Sequence, residues 1–199
     1  LINDILDFSK IESGKMDIIP VDYDLGILLS DTMDMIRSRA EEKKLQLELK
    51  IESDTPVHLH GDEVRLRQII TNILTNAVKY TPEGKVILTV SGKKVSPGVV
   101  QLYVSVKDTG IGIKEEDIGR LFDSFQRVDE SRNRNIEGTG LGLSITMRLL
   151  NLMGSRLEVK STYGEGSDFY FYLEQKQLDD EVIGDDVLKY YENEKGKNS

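Results

Sequence analysis

The chain contains no cysteine, which excludes a disulfide framework, a thiolate metal site and a cysteine nucleophile, and which fits a reducing compartment. No apolar run approaches the roughly 18 residues of a membrane span, and no signal-peptide pattern is present, so a soluble chain is expected. A clustered Lys/Arg footprint is missing too. With a net charge of −9, nothing in the sequence offers the cationic surface that duplex binding needs to displace counterions, so nucleic acid is not an expected partner. Two common nucleotide signatures are absent as well. There is no G-x-x-x-x-G-K-[ST], and "GTGLG" (residues 138–142) has its third glycine one residue early for a dinucleotide fingerprint and follows a polar loop instead of a strand. Histidine is scarce: only His58 and His60 occur, in the short extended stretch "PVHLHGDE". Alternate strand residues share a face, but with no third ligand nearby in sequence a metal site is not expected, and both read as surface residues.

What is present is ordinary for a globular protein: 199 residues, 38% hydrophobic and 31% charged, enough for one sizeable domain with an appendage. The opening "LINDILDFSKIESGKM" reads as the last turns of a longer helix stopped at Gly14. Residues 16–23 read as a short edge strand, since Pro20 cannot donate to a ladder. Asp24 is an expected N-cap for a helix in which Leu25, Leu28, Leu29, Met33, Ile36 and Ala40 recur at helical spacing. "LQLELKIE" alternates as a strand does, Asp62 caps a second helix, and "KVILTVSGKKV" and "VVQLYVSVKD" form a hairpin around "SPG". A short helix around "EEDIGRLFDSF" precedes a polar stretch and then a glycine-rich start to a third long helix. "SRLEVKS" and "GSDFYFYLEQ" close the fold as a second hairpin. From Gln177 the pattern collapses into a stretch with seven acidic and three basic residues after Leu178, which reads as a linker or tail. Three long helices with about five strands predict an α+β fold, a two-layer α/β sandwich with a mixed sheet covered on one face.

The informative residues lie in the second helix and in two glycine clusters. "LRQIITNILTNAVKYT" (residues 66–81) places Asn72, Asn76, Lys79 and Tyr80 on neighbouring turns of one face, opposite Ile69, Ile70, Ile73, Leu74 and Ala77. Two carboxamides on so apolar a helix ask for a reason, although a lone asparagine usually bonds to nearby backbone or water. "DTGIGI" follows a strand and "GTGLGL" opens a helix. Glycines there let backbone approach a ligand, and free N–H groups at a helix start attract phosphate.

"TNILTNAVKYT", "DTGIGI", "FDSFQRVD", "EGTGLGL" and "GEGSDF" occur in the order and spacing of the asparagine, glycine and phenylalanine boxes of sensor histidine kinases. Residues 15–175 resemble the catalytic ATP-binding domain of that family. Its wider superfamily includes gyrase, heat-shock chaperone and MutL ATPases and shares the Bergerat-type fold. The resemblance implies domain limits of 1–15 for the end of a dimerisation and phosphoacceptor helix, 16–176 for the catalytic domain and 177–199 for an acidic linker or tail. It implies that Asn76 ligates Mg²⁺ bridging the phosphates of ATP, with Asn72 supporting the same geometry. Lys79 would contact phosphate and Tyr80 would pack against adenine. Asp108 would accept from the adenine amino group, a contact that discriminates against guanine. Its alternative role, an Asx turn before Gly110, is compatible with this. Gly110, Gly112 and Ile113 would approach the base, and Gly138, Thr139, Gly140, Leu141 and Gly142 would cradle the triphosphate. Ser167 would contact the adenine edge, directly or through water. Between the last two glycine boxes, "QRVDESRNRNIE" reads as a lid. Its Arg134 matches a position that reaches the terminal phosphate, with Arg132 and Arg127 as weaker candidates, and Phe122 and Phe125 read as anchors.

The implied reaction is transfer of the γ-phosphoryl group of Mg-ATP to a histidine on a dimerisation helix, catalysed by Asn72, Lys79 and Arg134 through positioning and charge neutralisation. Hydrolysis of the superfamily's ATPase type is the competing enzyme reading. In those relatives the position of Asn72 holds a glutamate that activates water, and an amide cannot act as that general base. His58 and His60 lack the context of a phosphoacceptor, so the acceptor is expected on another segment. The implied partners are the protein's own dimerisation helices, as a homodimer in the full-length protein, and a response regulator or fused receiver domain. The implied compartment is the cytoplasm, including the cytoplasmic part of a membrane-anchored sensor. A nucleotide-binding regulatory module that transfers no phosphate remains the non-enzyme reading.

Overall fold

Apolar residues alternate through residues 85–90, 100–106 and 169–173, a period that suits a sheet with one buried face. In the computed structural model, which describes Leu6, residues 9–126 and residues 141–185 apart from the side chains of 122–126 and 141, these runs become the central strands. The strands are β1 (Val21–Asp24), β2 (Gln46–Ile51), β3 (His58–Gly61), β4 (Lys85–Ser96), β5 (Val99–Asp108), β6 (Glu158–Thr162) and β7 (Gly166–Gln177). They form one seven-stranded sheet in the order β1-β3-β7-β5-β4-β2, with β6 also paired to β7. β2 runs parallel to β4 and the other neighbours are antiparallel, so the sheet is mixed, as expected. β7 pairs with β5 from Lys176 opposite Val99 to Ser167 opposite Asp108. That register puts the end of β5 and the start of β7 side by side.

The helices are α1 (Leu25–Glu42), α2 (Glu63–Lys79), α3 (Glu115–Gln126) and α4 (Leu141–Leu152). Val86, Leu88 and Val90 of β4, Leu102 and Val104 of β5 and Phe171 of β7 are buried. They share one core with Leu28 and Ile36 of α1, Ile69 and Ile73 of α2, and Ile145 and Leu149 of α4. α2 packs against both α1 and α4 and against the sheet. The other sheet face bears Tyr103, Tyr170 and Tyr172, ring centroids 5.2, 6.1 and 6.4 Å apart, with Tyr172 exposed. A one-sided sandwich results. Both predicted caps form: Asp24 accepts from the Ile27 amide at 2.9 Å and Asp62 from the Arg65 amide at 3.0 Å. The second oxygen of Asp62 accepts from the Ile19 amide at 2.9 Å, which ties the entering chain to the start of α2. The edge strand near the N-terminus begins only after Pro20, for the reason that suggested an edge.

The chain does not leave the fold at Gln177. Leu178 donates its amide to the His58 carbonyl (3.0 Å), Val57 to that of Glu181 (3.1 Å) and Ile183 to that of Thr55 (2.8 Å), and Ile183 is buried. One apolar residue in an acidic stretch carries no periodic signal, so composition alone hides it. The same return corrects the reading that His58 has no ligand-type neighbours. Its Nδ1 lies 2.7 Å from Asp179 and 3.5 Å from Glu181, and its Nε2 lies 3.8 Å from Asp24. His58, Asp179 and Glu181 hold their donor atoms within 4.8 Å of one another, arranged as an ion pair clasping residues 178–184 to β3. The hydrogen bond to Asp179 raises the His58 pKa above its ordinary 6.5; desolvation opposes it, and the charges of Asp179, Glu181 and Asp24 reinforce it. A raised histidine pKa stabilises the fold below the unfolded value, and that contribution is lost as pH rises through the folded value. An NMR titration is expected to place the His58 midpoint above 6.5, with Asp179→Asn moving it back down. An unchanged midpoint in that variant would mean the clasp is not electrostatic.

Candidate functional site

α2 buries Ile69, Ile70, Ile73, Leu74 and Ala77 in the core, so its asparagines face the other way, toward α4 and the ends of β5 and β7. Asn72 donates from Nδ2 to the Gly142 carbonyl at 3.3 Å, and that carbonyl also accepts from Thr146 at 2.8 Å. Asn72 thereby tethers the first turn of α4. One turn on, Asn76 opens onto a cavity of about 270 Å³. α2 ends at Lys79 with Tyr80 as its C-cap. Lys43 donates to the carbonyls of Val78 (2.6 Å) and Lys79 (3.1 Å), a cation at the negative end of the helix. The Lys79 ammonium sits 5.4 Å from the centroid of the Tyr80 ring, and Tyr80 lines the cavity mouth half exposed.

The polar end of the cavity is made by Asp108, the last residue of β5, and Ser167 beside it at the start of β7. Asp108 is buried, and its Oδ1 accepts from the amides of Gly110 (2.9 Å) and Ser167 (3.3 Å). Desolvation raises its pKa above the ordinary 3.8, and those two backbone bonds oppose the rise by favouring the carboxylate. The Asx turn coexists with a place for Asp108 on the cavity wall. After β5 the loop is stitched on both sides: Ile111 donates to the Tyr80 carbonyl (3.4 Å) and Gly164 donates to the Ile111 carbonyl (2.7 Å). The Ile113 amide donates to Ser161 Oγ at 2.7 Å. The loop therefore bridges the end of α2 and the β6–β7 turn.

The remaining walls are apolar, from Ile111, Ile113, Leu121, Leu143 and Phe169. A slot with apolar sides and a buried carboxylate at one end suits a flat heteroaromatic ring that carries an amino group. Of the expected residues, the structure brings Asn76, Tyr80, Asp108, Gly112, Ile113 and Ser167 onto this one cavity. Gly110 stands behind it through its bond to Asp108. Asn72 and Gly142 meet each other beside it, and Lys79 flanks its mouth next to Tyr80. Arg134, Gly138, Thr139 and Gly140 lie outside the described residues, as do Arg127, Arg132 and the side chains of Phe122, Phe125 and Leu141.

Sequence reasoning missed Ile111, Leu121, Leu143, Phe169 and Ser161. Phe169 had a signal, since it follows Ser167 by two and so shares its strand face. Leu143 and Leu121 sit on helices whose docking depends on tertiary packing. Ser161 carried no signal of its own.

The family described as "Histidine kinase-, DNA gyrase B-, and HSP90-like ATPase" matches residues 61–177, more than half the chain. Over 182 residues the chain is 42% identical to the sensor histidine kinase GacS of Pseudomonas protegens, a match covering 92% of this chain and 20% of that protein. Over 173 residues it is 42% identical to the signal transduction histidine-protein kinase BarA of Escherichia coli K12, covering 87% of this chain and 19% of BarA. The chain thus spans about a fifth of the length of these curated relatives. Among solved structures, full-length ShkA in complex with AMPPNP superposes with a TM-score of 0.72 at 32% identity, covering 88% of this chain and 35% of ShkA.

Proposed function

The chain belongs to the histidine kinase-, DNA gyrase B- and HSP90-like ATPase family, and on that premise we propose that it binds Mg-ATP and passes the γ-phosphoryl group to a histidine on a dimerisation helix. The observation that carries the reading is the buried Asp108 carboxylate at the end of an apolar cavity on which Asn76 also opens. In this reading Asp108 and Ser167 hold the adenine, Tyr80 packs against it, and Gly110, Gly112 and Ile113 bring the loop backbone close. Asn76 would hold Mg²⁺ through its amide oxygen, with Asn72 supporting it, and the ion would neutralise phosphate charge when bound. Lys79 and Arg134 would supply cations to the phosphates, and Gly138, Thr139, Gly140, Leu141 and Gly142 would cradle them.

Asn72 decides between the two enzyme readings. Its amide carries no basic lone pair at neutral pH, so it cannot activate a water as a general base; its Nδ2 instead donates to the Gly142 carbonyl. Residues 1–15 would be the end of the dimerisation helix, 16–176 the catalytic domain and 177–199 an acidic linker or tail whose first residues fold back beside β3. Glu12, from the first segment, ion-pairs with Arg148 of α4. The partners in this reading are the chain's own dimerisation helices in a full-length homodimer and a response regulator or fused receiver domain. One relative, from Dictyostelium discoideum, is named a hybrid signal transduction histidine kinase. No helix among the described residues is long and apolar enough to cross a membrane, and the reading places the catalytic segment on the cytoplasmic side, where ATP is supplied.

The test is to mix the chain with Mg²⁺, γ-labelled ATP and a phosphoacceptor-helix fragment of its parent. Label on a histidine of the fragment, with slow or undetectable phosphate release by the chain alone, is expected. Binding without label would point to a regulatory module, and robust hydrolysis by the chain alone would overturn the kinase assignment.

A further inference from the structure

Ser161 of β6 stands directly across from Ser167 of β7, outside the set of residues that line the cavity. Three groups surround its Oγ: the Ile113 amide at 2.7 Å, the Gly166 carbonyl at 3.0 Å and Ser167 Oγ at 2.9 Å. A hydroxyl has one proton to give and two lone pairs to receive with. The Ile113 amide can only donate, so it takes one lone pair. The Gly166 carbonyl can only accept, so it takes the proton. What remains toward Ser167 is a lone pair, so the arrangement that satisfies all three contacts at once has the Ser167 hydroxyl donating to Ser161. With its proton committed, Ser167 has only lone pairs left to turn into the cavity. Asp108, ionised, also offers only acceptors there.

We propose that Ser161 is a positioning residue for nucleotide selection: by saturating its own hydroxyl it makes Ser167 an acceptor, so that the base end of the cavity accepts hydrogen bonds at both polar side chains. This rests on the nucleotide reading above. With Ser167 and Asp108 facing the 6-substituent, the amino group of adenine has a proton for each, whereas a 6-oxo purine brings a carbonyl that finds no donor there and keeps only its N1–H to give. Removing the Ser161 hydroxyl releases the Ser167 proton to rotate into the cavity. Ser167 can then donate to a carbonyl, and the discrimination weakens. The Ile113 amide loses its acceptor in the same change, which moves affinity for both nucleotides together and leaves their ratio to report on Ser167.

The experiment measures the affinities of Mg-ATP and Mg-ITP, which differ at the 6-position, for the 199-residue chain and its Ser161→Ala and Ser161→Thr variants by calorimetry, with thermal melts alongside. The wild-type chain is expected to prefer ATP. Ser161→Ala is expected to lower the ATP-to-ITP affinity ratio by about tenfold, the size of one hydrogen bond. Ser161→Thr, which keeps the hydroxyl, is expected to hold the ratio within about twofold of wild type by the same scale. A ratio unchanged in Ser161→Ala, with ATP still bound, overturns the proposal while leaving the nucleotide reading intact. Failure of the wild-type chain to bind ATP overturns the nucleotide reading itself. Should Ser161→Ala not fold, Ser161→Cys weakens the same acceptor in nearly the native shape: a fall in the ratio supports the proposal and an unchanged ratio overturns it.

Discussion

Asp108→Asn is expected to weaken Mg-ATP binding by about a hundredfold or more, roughly 2.7 kcal/mol, without destabilising the fold. The side chains have the same shape, so the effect isolates donor and acceptor character. Oδ1 of Asp108 accepts from the amides of Gly110 and Ser167. An asparagine must keep its oxygen at that position, or those buried N–H groups lose their acceptor. Its NH₂ then points into the cavity, where the amino group of adenine also donates. Two donors face each other, and one buried hydrogen bond becomes a repulsion.

Stability moves the other way, because burial raises the Asp108 pKa and the charged form is held against that cost. The sign is fixed by linkage: a carboxyl whose folded pKa is raised contributes stability that is full below its unfolded value and is lost as pH rises through the folded one. The wild-type chain thus loses stability across the interval above 3.8, and Asp108→Asn does not. At neutral pH the variant is expected to melt at the same temperature or higher, and wild-type ATP affinity is expected to fall on acidification toward the raised pKa. Calorimetric titration with Mg-ATP and thermal melts across pH check both. Near-normal binding by Asp108→Asn would remove Asp108 from the base site.

Gly166→Ala is expected to destabilise the fold by about 3 to 5 kcal/mol. Gly166 opens β7 with φ of +133°, a backbone region that L residues avoid. A Cβ there would stand 2.9 Å from the Asp108 carbonyl carbon, closer still to its oxygen, and 3.0 Å from the Thr109 Cα. Those are backbone atoms of the neighbouring strand, and they cannot rotate away. The β5–β7 register would have to yield where Asp108 and Ser167 lie side by side, so binding should fall with stability. Gly164 is the control. Its φ is +86°, but an added Cβ would meet nothing within 4 Å, so Gly164→Ala carries the conformational cost alone, about 1 to 2 kcal/mol. At roughly 2 to 4 °C per kcal/mol for a chain of this size, the two melting curves should separate clearly. Equal melting temperatures would show that the close packing of Gly166 against β5 contributes nothing.

The helix faces, the caps at Asp24 and Asp62, the alternation of the central strands and the identity of Asp108, Asn76 and the glycine clusters were legible from the sequence, because each is set by neighbours within a few residues. Periodicity of 3.6 or 2, a side chain reaching an amide three residues on, and a glycine after a strand need no knowledge of distant chain. Among the described residues seven strands form where about five were expected, and the one that no periodic run announced is β3, four residues long, which takes its conformation from the strands beside it. The acidic clasp on His58 depends on residues 121 positions away. Hydrogen bonding beside the cavity is decided the same way: Ile113 and Ser161 are 48 residues apart, and the fold brings them within 2.7 Å with Ser167 alongside. Sequence alone singled out Asn76, Tyr80, Asp108, Gly112, Ile113 and Ser167, which the fold brings to one cavity. Tertiary packing decided which way those groups face and what each can still donate or accept, because a hydroxyl's one proton is assigned by whichever partners the fold brings within reach.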